Sequence, residues 1–203
     1  MVVKFNEVET DKLTANEYKK HLLVKYNDQP CFIQTYWMKL DHYGVPKIDK
    51  YHTTEESRRY IKLSLSDPDF TKFILKLDNY FSSDKFKTKN LNDKQQNFTY
   101  IPIYKQGGEN YSPHIKIKIN VDDNGNILSE IFHKHQDTLE KCAMNNMDDV
   151  KQCFPYNCLY RVVFKVSKIW FMSKTYGVQL KLRKAQIETN NQQINDIDFC
   201  DSE

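Results

Sequence analysis

Six basic residues alternate with apolar residues in three short segments, a pattern suited to holding an anionic polymer along a sheet. Segments 115–119, 160–166 and 178–183 each place apolar side chains at one parity and cations at the other. Successive side chains of a strand point to opposite faces, so one face of each segment can be core and the other basic. The cations concerned are Lys116, Lys118, Arg161, Lys165, Lys181 and Arg183. If these strands are neighbours, the cations line one groove and contact phosphates.

Seven aromatic residues have the chemistry to stack on unpaired bases, because every base offers a π-face whatever its identity. They are Tyr36, Trp37, Tyr104, Tyr111, Trp170, Phe171 and Tyr176, and Lys174 adds a cation beside the last three. The competing interpretation of each ring is core packing. Trp170 shares the inward parity of Phe164, so its role stays open between core and ligand. Phe171 and Tyr176 lie nearer the turn and are the stronger predictions.

Residues for metal or covalent chemistry form no familiar motif. His133-Lys134-His135 supplies two imidazoles on one face of a strand, without a third ligand at a zinc spacing. Asp122–Asn126 resembles the opening of a calcium loop, but Ile127 stands where that loop needs glycine. The sequence contains no glycine-rich phosphate loop and no local signature of a cysteine nucleophile. We therefore predict no metal, no cofactor and no enzymatic activity.

The elements that must position these residues are mostly strands. Segment 158–187 predicts a β-hairpin connected through 170–177, and further strands are predicted at 31–38, 60–65, 98–104, 115–121 and 127–132. Asn124-Gly125 predicts a hairpin turn between the last two. A helix is predicted over 69–81, capped by Ser66 or Asp67 with Pro68 in its first turn. One or two more helices are expected within 137–154, and the polar segment 85–97 is expected to be a mobile loop.

This order predicts a mainly β protein with added helices, in which an antiparallel sheet curls into a barrel. Residues 1–28 are charged and loosely periodic, so we expect an N-terminal arm with a short helix at 16–23. The nucleic-acid-binding domain is predicted over 29–187, followed by a flexible acidic tail over 188–203. That tail holds five acids and no Lys or Arg; without it, 30 Lys and Arg face 22 Asp and Glu, a net charge of +8.

Composition indicates the cellular environment in which the protein works. The chain has 203 residues, no apolar run long enough to cross a membrane and no signal-peptide core. Its five cysteines are scattered without a C-x-x-C pair, which favours reduced thiols over disulfides. We expect a soluble protein of the cytoplasm.

The order of short motifs, above all the last hairpin, resembles the single-stranded DNA-binding proteins of nucleocytoplasmic large DNA viruses. It is similar, more distantly, to phage replicative single-stranded DNA-binding proteins. The matching motifs are Ile33-Gln34-Thr35, Gly44-Val45-Pro46, Leu63-Ser64-Leu65, Phe73–Asp78, Tyr100–Ile103, Ser112-Pro113, Asn157–Val166, Trp170-Phe171, Tyr176–Val178 and Lys181–Ile187. The resemblance covers about residues 30–187.

The resemblance implies a five-stranded OB-fold barrel, sequence-tolerant binding of single-stranded DNA, and a role in viral DNA replication, repair or recombination. It also implies action in the host cytoplasm, at a viral replication site or in the virion, and recruitment of replication proteins by the acidic tail. An RNA-binding or structural virion protein and a metal-dependent nuclease remain alternatives. Formation of a homo-oligomer stays open.

Overall fold

One sheet carries most of the fold. The computed structural model describes residues 2–41, 43–109, 111–136 and 138–188, in which twelve strands form a mixed sheet curled into a half-barrel. The strands are β1 (Val2–Lys4), β2 (Leu13–Tyr18), β3 (His21–Tyr26), β4 (Gln29–Gln34), β5 (Met38–Lys39), β6 (Tyr60–Ser64), β7 (Thr99–Ile101), β8 (His114–Lys118), β9 (Glu130–His135), β10 (Thr138–Lys141), β11 (Leu159–Met172) and β12 (Thr175–Glu188). The helices are α1 (Pro68–Ser82), α2 (Asp84–Asn90), α3 (Asp93–Gln96) and α4 (Met147–Cys153). The predicted mainly β fold with added helices is confirmed.

The hairpin of β11 and β12 is the spine of the sheet. Each strand has 14 residues, and they turn through Ser173-Lys174, with Ser173 at φ +55°. β4 and β3 pair with β11 antiparallel, whereas β7, β8 and β9 each pair with β12 in parallel. The sheet is therefore larger than the predicted five strands and is not purely antiparallel.

Parallel pairing also corrects the predicted second hairpin. β8 and β9 both lie along β12, so the Asn124-Gly125 turn does not join two paired strands. The bridge between Val121 and Ile127 closes that turn locally, together with backbone hydrogen bonds such as the one from the Leu128 nitrogen to the Asn120 carbonyl at 2.7 Å. The Asn-Gly signal located the turn correctly, but the edge of the long strand β12 determined the pairing.

Helix α1 covers the inner face of the central hairpin. Asp67 caps it by accepting a hydrogen bond from the Phe70 backbone nitrogen at 2.6 Å, and Pro68 stands in its first turn, as predicted. Phe70 is fully buried and meets Phe164 of β11 edge-on, with ring centroids 6.2 Å apart. Because the helix covers this face, the opposite face of β11 and β12 is left accessible.

The N-terminal residues are part of the sheet, which corrects the predicted arm and its helix. β2 and β3 form an antiparallel hairpin in the segment where the helix was expected, and β1 pairs in parallel with β4. Phe5, Leu13 and Val24 are buried in the core. Most of the charged residues that suggested a peripheral arm are exposed in the turns and short 3-10 helices between these strands, among them Glu7, Asp11 and Lys19.

Two further segments differ from the prediction. The polar stretch 85–97, expected to be a loop, is largely helical in α2 and α3, and buried Phe86 anchors it. Within 137–154, a strand, β10, precedes the one helix α4. The acidic tail at 189–203 lies outside the described residues. No helix in the described part of the chain has the length and apolar character needed to cross a membrane.

Candidate nucleic-acid interface

Three lysines on adjacent strands form a row across the outer face of the sheet. Lys165 of β11 is in register with Lys181 of β12, which is in register with Lys118 of β8. Neighbouring strands lie about 4.8 Å apart, so the lysine side chains leave the sheet side by side. Phe32 pairs with Lys165 at one end of this lysine row, and Tyr60 pairs with Lys118 at the other. The sequence prediction that these three cations share a face agrees with this placement.

The lysine row forms no ion pair among the residues that the structure describes. None of these lysines has an acidic group within ion-pair distance in the described part of the chain. Burial lowers the pKa of Lys181, and the charges of Lys165, Lys168 and Lys118 lower it further. Like charges directly opposite each other destabilise a sheet. An anion lying over the row would relieve this repulsion.

A β-bulge brings Trp170 to the same outer face. Val166 pairs with Leu180 and Lys168 with Gln179, so Ser167 is an extra residue in β11. A bulge of this kind shifts the alternation of all later residues. Trp170, which regular alternation placed with the core, therefore lies on the accessible side with Lys168, and buried Ile169 takes the inward position.

Trp170, Lys118 and Lys181 line a groove of about 930 Å³, whose acidic lining residue, Glu56, pairs with Arg59 at 3.2 Å. Four of the predicted site residues line it, namely Lys116, Lys118, Trp170 and Lys181. Sequence reasoning missed several other lining residues, namely Arg59, Tyr60, Lys105, Lys168 and Met172. Lys116 lies over the Tyr60 ring at 5.0 Å, so the groove combines cations with an aromatic wall. We call this feature the central groove.

The wall formed by residues 99–105 is fixed by a buried carboxylate. Asp78 of α1 accepts hydrogen bonds from the Tyr100 hydroxyl at 2.6 Å and from the Ile103 and Tyr104 backbone nitrogens at 2.7 and 2.9 Å. Burial and the Asp78 carboxylate raise the pKa of Tyr100. Ile101, Pro102 and Ile103 line the central groove, so helix α1 positions one side of it from behind.

A second cationic and aromatic group lies farther along β11. The Trp37 ring has the Arg161 guanidinium 4.9 Å from its centroid and the Lys134 ammonium at 5.5 Å. Arg161 also lines a depression of about 260 Å³ with Phe132 and Lys184. Arg161 shares the outward parity of Lys165 on β11, so this Trp37 cluster lies on the same face as the lysine row.

Rings and a histidine form a third group at the outer edge of β8. Tyr43 lies between His114, at a centroid distance of 4.5 Å, and Tyr111, at 6.0 Å. Burial and the charges of Lys62, Lys116 and Lys105 lower the pKa of His114 to about 4. The imidazole is therefore neutral at pH 7, and its Nδ1 is buried without a hydrogen-bond partner among the described residues. Of this group, the sequence prediction had included only Tyr111.

Several predicted site residues lie away from the central groove. Tyr176 is fully buried, and its hydroxyl donates to the Phe81 carbonyl at 2.7 Å, so the prediction that it stacks on bases is wrong. Phe171 alternates with Trp170 and packs on the other face against Phe98 and Tyr176. The bulge at Ser167 explains this, because it exchanges the inward and outward positions near the turn.

The remaining predictions are scattered. Arg183 is the extra residue of a second bulge and lines a separate depression with Lys141. Tyr36 packs edge-on to Phe5 at 4.9 Å, and the Tyr104 hydroxyl donates to Gln106. Lys174 is exposed at the hairpin tip. The structure does not bring these four residues into the central groove.

The protein is thus a mainly β protein whose outer sheet surface carries cationic and aromatic side chains. No protein-family model matches the chain, and no curated protein matches it. Six chains of solved structures match, among them three of the single-stranded DNA-binding protein from bacteriophage Enc34.

The Enc34 structures align over most of both chains. The first is 13% identical, covers 86% of this chain and 88% of that chain, and has a TM-score of 0.43. A C-terminal truncation is 11% identical, with coverages of 90% and 98% and a TM-score of 0.45. The complex with single-stranded DNA is 12% identical, with coverages of 89% and 97% and a TM-score of 0.42. Because each TM-score is below 0.5, the functional assignment depends on the residues of this chain.

Proposed function

We propose that this protein binds single-stranded DNA with little sequence preference along the outer face of β11, β12 and β8. The observation that carries the proposal is the row Lys165, Lys181 and Lys118, which lacks acidic partners in the described part of the chain and shares the outer face with Trp170. Lysines neutralise phosphates regardless of base identity. A cationic track flanked by rings is the arrangement used for nonspecific single-strand binding.

The rings favour a single strand over a duplex. In a duplex the bases are stacked on one another, and their faces are not available to a side chain. Trp170, Lys168 and Lys181 line the same groove, so an unpaired base can stack on Trp170 while the strand's phosphates follow the groove past Lys168 toward Lys181. Each such stack contributes about 1 to 3 kcal/mol.

The wider role follows from the sequence resemblance. We propose an OB-fold-like binding core, no catalytic activity, and action in viral DNA replication, repair or recombination, in the host cytoplasm or at a viral replication site. The acidic tail is proposed to compete with DNA for the basic face or to recruit replication proteins. The charge of the tail, opposite to that of the body, supports this part of the proposal.

Titration of labelled oligonucleotides at several salt concentrations tests the binding proposal. The logarithm of the affinity should fall linearly with the logarithm of salt, by about 0.7 for each phosphate neutralised on a single strand. The triple variant Lys118→Gln, Lys165→Gln, Lys181→Gln should flatten this slope by about 2, because three phosphate contacts are lost. Single-stranded RNA and duplex DNA are titrated in parallel.

A matched control removes the same charge elsewhere. Lys72, Lys85 and Lys89 are exposed on α1 and α2, and changing all three to Gln should leave the salt slope unchanged. An equal loss of slope in both triple variants would contradict a localised track. Tighter binding of RNA would favour the RNA-binding alternative, and magnesium-dependent cleavage of the oligonucleotide would favour the nuclease.

A further inference from the structure

Three side chains with metal-binding chemistry meet on the side of β9 that faces away from the Trp37 cluster. The donor atoms of His133, Cys142 and Cys153 all lie within 4.8 Å of one another. Cys153 is buried, and the other two residues are half-buried. No such group was visible in the sequence, because these residues do not have the spacing of a familiar zinc motif.

Local structure explains the meeting of His133 and Cys142. His133 of β9 pairs with Glu140 of β10, and the Cys142 backbone nitrogen donates to the Ile131 carbonyl at 2.9 Å. Cys142 is therefore the diagonal neighbour of His133 across this antiparallel pair, and diagonal neighbours on one face are within reach of each other. Buried Ile131 shares that face, so the pair points toward the protein interior.

Helix α4 delivers the third donor. Asn146 caps the helix by accepting hydrogen bonds from the Asp148 and Asp149 backbone nitrogens. Val150 and Cys153 are buried on one side of the helix, three residues apart, which is the spacing of neighbours on a helix face. The cap and the apolar contacts thus hold Cys153 against the end of β10.

We propose that His133, Cys142 and Cys153 bind one zinc ion, with a water molecule in the fourth position. Zinc prefers imidazole nitrogen and thiolate sulfur in tetrahedral arrangement, with bonds of about 2.0 to 2.3 Å. Those bonds place the donor atoms about 3.5 to 3.8 Å apart, so the cluster needs to contract by about 1 Å. Rotation of two cysteine side chains and one imidazole supplies a movement of this size without a change in the backbone.

The ion would join three separate elements. The segment of chain between β8 and β11 contains β9, β10 and α4. Metal binding would cross-link these three elements. Each thiol gives its proton to solvent as it binds, so two thiolates balance the charge of one Zn²⁺. The proposal is independent of DNA binding, because Phe132 and Lys134, which belong to the outer face, alternate with His133.

Cobalt binding to the full chain tests the site directly. Metal-free, reduced protein is titrated with Co²⁺ under anaerobic conditions, and untreated protein is analysed for bound zinc by elemental mass spectrometry. We expect one equivalent of each metal, a thiolate-to-cobalt charge-transfer band and visible ligand-field bands of tetrahedral intensity. A chelator should lower the melting temperature of the zinc-loaded protein.

Variants separate this site from other thiols. Cys142→Ser, Cys153→Ser and His133→Asn should each abolish the stoichiometric cobalt spectrum, and a chelator should leave their melting temperatures unchanged. Cys31→Ala and Cys158→Ala, at buried thiols elsewhere in the fold, should retain one cobalt. Circular dichroism of each variant establishes that it is folded.

Two results would overturn the proposal. One is wild-type protein without thiolate-to-cobalt absorption, or with absorption that the Cys31 and Cys158 variants lose equally. The other is a Cys142–Cys153 disulfide in protein purified under thiol blocking, detected as a cross-linked peptide lighter by two hydrogens. That result would assign the pair to redox chemistry.

Discussion

Trp170 is held in place by the absence of a side chain opposite it. Trp170 pairs with Gly177 across the hairpin, and a Cβ atom added to Gly177 would lie 2.5 Å from Cζ2 of the Trp170 ring. The indole therefore lies over the glycine backbone. Glycine weakens a strand because it has no side chain to pack. An aromatic ring that covers a cross-strand glycine compensates for this loss and is itself held in a fixed orientation. A fixed ring loses less conformational entropy when it stacks on a base.

Substitution of the two neighbouring rings should separate binding from stability. Trp170→Ala should weaken binding of single-stranded DNA by about 1 to 3 kcal/mol, because one base loses its stacking partner. Phe171→Ala should mainly lower the free energy of unfolding, because Phe171 packs against Phe98 and Tyr176. Fluorescence anisotropy measures the first effect, and urea unfolding measures the second.

Tryptophan fluorescence offers an internal check of the same prediction. In a Trp37→Phe background, Trp170 is the one remaining tryptophan of the chain, and its emission should be quenched by oligonucleotide. The opposite outcome, in which Phe171→Ala impairs binding while Trp170→Ala does not, would contradict the prediction that the bulge places Trp170 where it stacks on a base.

At the level of elements, Asp78 couples α1 to the wall of the central groove. Asp78 is 7% exposed, and its carboxylate accepts from three donors in residues 100–104. Hydrogen bonds to a charged acceptor are stronger than neutral ones, and buried donors that lose their acceptor bear the cost of desolvation. This carboxylate therefore determines where the segment 99–105 lies relative to the helix.

Asp78→Ala should destabilise the protein by at least about 2 kcal/mol, because three donors are left without an acceptor. It should also weaken DNA binding, since Ile101, Pro102 and Ile103 would no longer be held at the groove. Asp78→Asn, which keeps one acceptor oxygen, should be milder. Chemical denaturation of these variants is compared with Asn79→Ala, an exposed neighbour on α1. Equal stability of Asp78→Ala and Asn79→Ala would refute the coupling.

Whether an element could be predicted depends on whether neighbouring residues in the sequence determine it. The alternation in 160–166 and 178–182 and the Asp67-Pro68 start of α1 depend on consecutive residues, and both predictions are confirmed. The predicted connection 170–177 is shorter in the structure, because only Ser173 and Lys174 separate the two strands. The bulges are not local signals of that kind, because one extra residue leaves the composition unchanged while it reverses the parity. The sequence consequently left Trp170 open between core and ligand, and the prediction that Phe171 faces the ligand is wrong.

Pairing partners were still harder to predict. β8 and β9 pair in parallel with β12 because the edge of β12 is free to accept both strands. The residues of β8 and β9 alone do not indicate this partner. The N-terminal hairpin turns at Lys19, with φ of +55°, without the glycine or asparagine that usually marks such a turn. The cluster of His133, Cys142 and Cys153 likewise arises only when three elements have assembled.

On the scale of the whole molecule, charge is divided between two parts of the chain. Residues 1–187 carry a net charge of +8, whereas 188–203 carry five acids. The row Lys118, Lys165 and Lys181 belongs to the first part. An acidic segment attached to a basic surface has a high effective concentration near it and can compete with an anionic ligand. Such competition weakens as salt screens both interactions.

A chain ending at Glu188 should therefore bind single-stranded DNA more tightly than the full chain at low salt. The difference should be several-fold and should shrink as ionic strength rises, because the Debye length falls from about 30 Å at 0.01 M to about 8 Å at 0.15 M. A full-length variant with Asp196→Asn, Asp198→Asn, Asp201→Asn and Glu203→Gln separates charge from length. If charge is responsible, this variant binds like the truncated chain. Equal affinities of all three proteins at low salt would exclude competition by the tail and leave partner recruitment as its proposed role.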